Sequence, residues 1–123
     1  MARHRYTICI GSNTMDTNKF ATAVTEVAAT LECPSKSCIY TSPDALGRPG
    51  VPDYLNIVIE GTSTLPPEAL NRIYKEKEQA YGQRTAQHVP LDIDIVITDG
   101  EIIRPSDYES EHFRRGYSEL ERK

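Results

Sequence analysis

The run Leu91-Asp92-Ile93-Asp94-Ile95-Val96 constrains this chain more than any other stretch. Its β-branched content specifies a strand, and side chains on a strand alternate between faces. Asp92 and Asp94 therefore share one face, while Leu91, Ile93 and Ile95 turn to the other, toward the core. Like charges on adjacent same-face positions stand ~6–7 Å apart and repel unless a cation lies between them. Carboxylate oxygens suit Mg²⁺, which binds one or two carboxylates and completes its shell with water and substrate phosphates. The same alternation also describes the solvated face of an ordinary amphipathic strand. The pattern alone leaves both readings open.

A chain of 123 residues is expected to form one domain, spanning 1–123, with room for a core. No apolar run approaches the ~20 residues that cross a bilayer, so no membrane association is expected. The opening Met1-Ala2-Arg3-His4-Arg5-Tyr6 has no signal-peptide apolar region and leads straight into a strand, which points to the cytoplasm. A net charge of −4 disfavours nucleic acid as a partner and favours a cation-assisted site for an anionic substrate. Cys9, Cys33 and Cys38 fit no metal-ligand spacing; Cys33 and Cys38 could meet across a turn, but the expected compartment keeps thiols reduced. Nothing in the chain specifies an oligomeric state.

Arg5 to Ile10 reads as a first strand, ended by the loop signal Gly11-Ser12-Asn13. Asp16 or Thr17 caps a helix whose apolar stripe is Phe20, Val24, Val27, Ala28 and Leu31. Lys36 to Ser42 gives a second strand. Pro43, Gly47, Pro49, Gly50 and Pro52 then describe a long loop, the kind of segment that often carries function. Tyr54 to Ser63 is a third strand, with Tyr54, Asn56 and Val58 on one face. Pro66-Pro67-Glu68 opens a second helix that runs to Tyr81 and stops at Gly82. The loop from Gln83 to Pro90 leads into the aspartate strand, and Asp99-Gly100 turns into a short strand, Glu101 to Ile103. The tail is charged and aromatic, without strong periodicity.

This order is the β-α-β-β-α-β pattern of a ferredoxin-like α+β fold with an added hairpin strand. Its sheet is mainly antiparallel, with the helices on one face. Tyr54, Asn56, Asp92 and Asp94 then converge on the other face.

Several spaced segments resemble the 6-hydroxymethyl-7,8-dihydropterin pyrophosphokinase family of folate biosynthesis. They are Ile10-Gly11-Ser12-Asn13, Tyr40-Thr41-Ser42-Pro43 with Leu46-Gly47, and Pro52-Asp53-Tyr54-Leu55-Asn56 with Glu60-Gly61. Leu65-Pro66-Pro67-Glu68-Ala69-Leu70, Glu78 and Leu91-Asp92-Ile93-Asp94-Ile95 follow in order, with an echo at Arg115-Gly116-Tyr117. The resemblance implies a transferase that moves pyrophosphate from ATP to a reduced pterin with two Mg²⁺ ions. It implies Asp92 and Asp94 as catalytic metal ligands, and Tyr54 and Tyr117 stacked on the two pterin faces. Asn56, Ser42, Pro43 and Leu46 would hold the pterin edge. Arg84 and Arg115 would serve catalysis and phosphate binding, with Ile95 at the nucleotide. A flat heteroaromatic held between two rings, with a few polar groups fixing its rotation, is physically apt. Metals and arginines likewise supply the positioning and charge neutralisation that phosphoryl-type transfer requires.

The departures from the family fall in catalytic places. The loop before the aspartate strand is short, Val89 stands where an arginine is usual, and Arg84 is its remaining arginine. The usual Pro-His pair is missing from the tail, with Glu109 in the histidine's place and His88 or His112 as substitutes. Tyr74 and Lys75 occupy the turn of the second helix where the family commonly has a glutamine that contacts the nucleotide. Arg48, in the middle of the long loop, is a further candidate for the phosphates. The alternative function is a catalytically impaired member that binds a pterin, a nucleotide or a partner protein.

Overall fold

The computed structural model describes residues 2–121. Strand β1 (His4–Ser12) is followed by helix α1 (Thr17–Ala28), β2 (Glu32–Lys36), β3 (Tyr40–Ser42), β4 (Tyr54–Ser63) and α2 (Pro67–Tyr81). Then come β5 (Asp92–Thr98), β6 (Glu101–Ile102), α3 (Pro105–Glu109) and α4 (Glu111–Glu121). The sheet runs β2-β4-β1-β5-β6, β3 also pairs with β4, and every pairing is antiparallel. The expected β-α-β-β-α-β order and α+β class are present.

Local chemistry explains the element ends. Asp16 caps α1, its side chain accepting from Lys19 N at 2.8 Å. Pro67 starts α2, where a missing N–H costs nothing, and Gly82 ends it with a φ of 132°. Asp99 and Gly100 both have positive φ, as a tight hairpin between right-twisted strands requires.

Alternation along the strands divides the core. Tyr6, Ile8, Ile10, Ile57, Ile59, Ile93 and Ile95 pack under α1 and α2 with Phe20, Val24, Val27 and Leu70. Cys9, Val58, Val96 and Ile97 point the other way and are covered by Phe113 and Leu120 of α4. Thr7 opposes Ile97 and Ile8 opposes Ile95, so Val96 bulges between them, and this lets Val96 and Ile97 enter the same cluster.

Three expectations need correction. Gly11 and Ser12 continue β1, because Gly11 pairs with both Asn56 and Asp92. The second strand is two strands: Glu32–Lys36 forms an exposed edge, bulged where Cys33 takes a φ of 50°, and Tyr40–Ser42 pairs separately. The tail, read as lacking strong periodicity, is helical over Pro105–Glu109 and Glu111–Glu121, and α4 lies on the face opposite α1 and α2. Phe113, Gly116 and Leu120 are its buried stripe. Gly116 permits the close packing, since a Cβ there would sit 2.7 Å from both Tyr40 Oη and Val58 Cγ2. The three cysteines are free.

Candidate active site

Register builds the site. Tyr40 opposes Asn56, Asn56 opposes Gly11, and Gly11 opposes Asp92, which makes one row across four strands. Ser42 and Tyr54 pair in the next position, and Val58, Cys9 and Asp94 form the row on the other side. All of these side chains lie on the face that α4 covers only in part. Beyond the N-terminus of α4 the face opens into a cavity of about 160 Å³, lined by Gly11, Ser42, Pro43, Tyr54, Asn56, Arg84, Asp92, Asp94 and His112. Gly11 keeps its floor open: a Cβ there would lie 3.5 Å from Asn56 Oδ1 and 3.7 Å from Tyr54 Cδ2.

Asn56 is buried in mid-strand, where its propensity is poor, and its hydrogen bonds explain its presence. Nδ2 donates to Ser42 Oγ at 2.8 Å and to Tyr54 O at 3.5 Å. The amide is thereby fixed in the cavity wall. Burial pushes the Tyr54 phenol up from its ordinary value.

The carboxylates form the other wall. Oxygens of Glu78, Asp92 and Asp94 lie within 4.8 Å of one another. Burial, then the hydrogen bond and charge of Asp94, push the Asp92 carboxyl up to about 7, against the opposing pull of Arg84. Arg84 Nη1 stands 3.6 Å from Asp92 Oδ1. Three hard oxygen donors around an acid that resists ionising fit a divalent cation such as Mg²⁺. Glu78 has a second task. Its Oε2 accepts from Ile93 N at 2.7 Å, while Lys75 Nζ donates to Ile93 O at 3.1 Å, so α2 satisfies the open edge of β5.

Asp94 also borders a second cavity on its far side, lined by Asn71, Ile95, Thr98, Ile103 and Arg104. Ile95 reaches it from the core, where its side chain is buried.

Not every expected residue joins these cavities. Tyr117 stacks on Phe113, with ring centroids 5.2 Å apart, and packs into the cluster beneath α4. It does not face Tyr54. Phe113 anchors the helix under the sheet, and Tyr117 follows one turn later, away from the opening. His112 lines the cavity instead. Leu46 is 76% exposed and is not among the residues lining the described cavities. Arg115 lies over the Tyr40 ring at 5.0 Å and lines an adjoining cavity that shares Ser42, Pro43 and His112. Tyr74 is buried and bonded to Thr30, whereas Lys75 reaches the carboxylates.

Arg48 does not point at solvent. Its Nε and Nη2 donate to Asp44 at 3.0 Å, and Nη1 donates to Ala86 O at 2.7 Å, joining the loops on either side of the cavity. The Asp44 carboxyl is held well below the usual carboxylate range by these bonds. Asn13 pins the second loop from below, with Nδ2 donating to Gln87 O and Oδ1 accepting from Val89 N.

Glu78 as a third carboxylate, Arg104 and the floor role of Gly11 were not legible as site features. The available signal was the same-face spacing of Lys75 and Glu78 on α2, at i and i+3.

In overall shape the chain is similar to a solved B. subtilis GlnK–ATP complex, at 11% identity and a TM-score of 0.33 over 76% of this chain and 84% of that one. Nothing about function is carried over from a likeness of that degree. No curated protein matches the chain significantly. The sequence model of the 7,8-dihydro-6-hydroxymethylpterin-pyrophosphokinase family matches residues 7–120, nearly the whole chain, and the chain belongs to that family.

Proposed function

We propose that this chain transfers pyrophosphate from ATP to the hydroxymethyl group of 6-hydroxymethyl-7,8-dihydropterin, with Mg²⁺. Family membership supports a pyrophosphokinase role in folate biosynthesis, carried out by a transferase on ATP and a pterin. The observation that carries the finer reading is the position of Asp94, which lines both the Tyr54–Asn56 cavity and the Ile95–Arg104 cavity. The first suits a flat heteroaromatic with polar edges, and the second suits a nucleotide. The hydroxymethyl oxygen attacks the β-phosphorus, the bond from that phosphorus to the α-phosphate oxygen breaks, and AMP leaves. The hydroxyl proton is released in the same transfer.

Asp92 and Asp94, with Glu78 beside them, would hold two Mg²⁺ ions, which would supply charge neutralisation at the phosphates. Tyr54, Asn56, Ser42 and Pro43 orient the pterin. Arg84 and Arg115 approach from the rims of the two adjoining cavities. His112 is placed to contact a bound substrate, where the sequence lacks the family's usual histidine.

A second reading rests on the loop 83–90, where Arg84 is the one arginine and Val89 is buried in the position of another. Losing a transition-state charge contact costs on the order of 10²–10³ in rate, so such a chain can bind without turning over. An AMP-release assay with ATP, Mg²⁺ and the hydroxymethylpterin separates the two. Pterin-dependent AMP formation is expected. Binding of both ligands without AMP would leave only the second reading.

A further inference from the structure

Asp94 holds two cations that the role of a metal ligand does not require. Lys75 Nζ lies 3.6 Å and Arg104 Nη2 3.8 Å from the same oxygen, Asp94 Oδ1. They come from different elements, Lys75 from α2 and Arg104 from the turn before α3. Both are rim residues, with side chains 42% and 50% exposed, around an Asp94 side chain only 13% exposed. Neither ion pair has hydrogen-bond geometry, so each is a loose electrostatic contact on a long stem.

A divalent cation entering among Glu78, Asp92 and Asp94 carries twice the charge of either side chain and repels both. Lys75 retains Glu78 and Ile93 O as partners, and Arg104 retains Asp107. Each can therefore release Asp94 without becoming stranded. Arg104 lines the cavity beyond Asp94, where a metal-bound polyphosphate would lie.

We infer that Lys75 and Arg104 neutralise Asp94 when no metal is bound and turn to the nucleotide's phosphates when one is. They then supply cationic contacts that the short, arginine-poor loop 83–90 lacks. This rests on the metal and nucleotide reading of the site given above. A residue that merely caps the β5 edge would change stability and leave the two ligand affinities unmoved.

The test measures two affinities with opposite expected signs. Mn²⁺ alone is titrated by electron paramagnetic resonance, and α,β-methylene-ATP with Mg²⁺ by calorimetry. Lys75→Met removes a competitor for Asp94, so it should bind Mn²⁺ alone about threefold more tightly. The same variant should bind the Mg²⁺–nucleotide analogue about tenfold more weakly, through loss of a charged contact. Lys75→Arg should return both toward wild type. Arg104→Gln should move both in the same directions as Lys75→Met, and it serves if a Lys75 variant fails to fold. Unchanged or weaker Mn²⁺ binding by the neutral variants would overturn the inference, as would unchanged nucleotide affinity. If the wild type binds neither probe, the underlying site reading falls, and the inference falls with it.

Discussion

Once ionised, Asp92 works against the metal-free fold, and the sign of that effect is measurable. Its carboxyl is raised from an ordinary value of 3.8 to about 7, so the folded state binds a proton more tightly than the unfolded chain. Stability from this group is fully present below pH 3.8 and is lost as pH rises through about 7. Asp92→Asn should therefore raise the thermal stability of the metal-free protein above pH 7. A gain of about 1–2 kcal/mol is expected after solvent screening. The gain should vanish toward pH 4 or with saturating Mg²⁺, and thermal melts across that range check it. Asp94 is the poorer place to relieve repulsion, because Lys75 and Arg104 already neutralise it. The shared face of this pair was legible from two-residue alternation alone. Its electrostatic environment was not, because Glu78, Lys75 and Arg104 are supplied by other elements.

At the scale of elements, α4 and the two cavity loops decide how the site is closed. Gly116 seats α4 against Tyr40 and Val58, so Gly116→Ala must move the helix or those side chains. The expected loss is about 1–3 kcal/mol in thermal or denaturant unfolding, as for other overpacked contacts. The loops behave as a linked pair through Arg48. Hydrogen exchange should quicken in both 44–53 and 84–88 when Arg48 becomes alanine, and ligand protection of both should weaken. Quickening of 44–53 alone would show that the bond to Ala86 does not couple them. The long loop was recognisable from its prolines and glycines, as a segment of the kind that often carries function. The partner of Arg48 was not recognisable, because a contact across 38 residues leaves no local pattern. The helix α4 was missed for a related reason. Its buried stripe is only Phe113, Gly116 and Leu120, set among charges and interrupted by a glycine that reads locally as a breaker.

For the whole molecule, one sheet does two jobs. Its α1–α2 face is a continuous apolar core, which periodicity announces in β1, β4 and β5. Its other face is apolar under α4 and polar beyond it, and that boundary depends on where the tail folds back. Hence the shared face of Tyr54, Asn56, Asp92 and Asp94 followed from strand alternation, whereas the place of Gly11 between Asn56 and Asp92 came from the register and the expected sandwich of Tyr54 and Tyr117 did not form. The ring of Tyr117 was drawn into the cluster around Phe113, and His112 lines the opening. In the proposed reaction one carboxylate centre, Asp92 with Asp94, serves a pterin on one side and a nucleotide on the other. Nuclear relaxation by Mn²⁺ tests it most directly, in a complex with α,β-methylene-ATP and 6-hydroxymethylpterin. Strong relaxation of both the nucleotide phosphorus nuclei and the pterin hydroxymethyl protons is expected, with loss of both in Asp94→Asn. Relaxation of one ligand without the other, or relaxation that persists in Asp94→Asn, would contradict it.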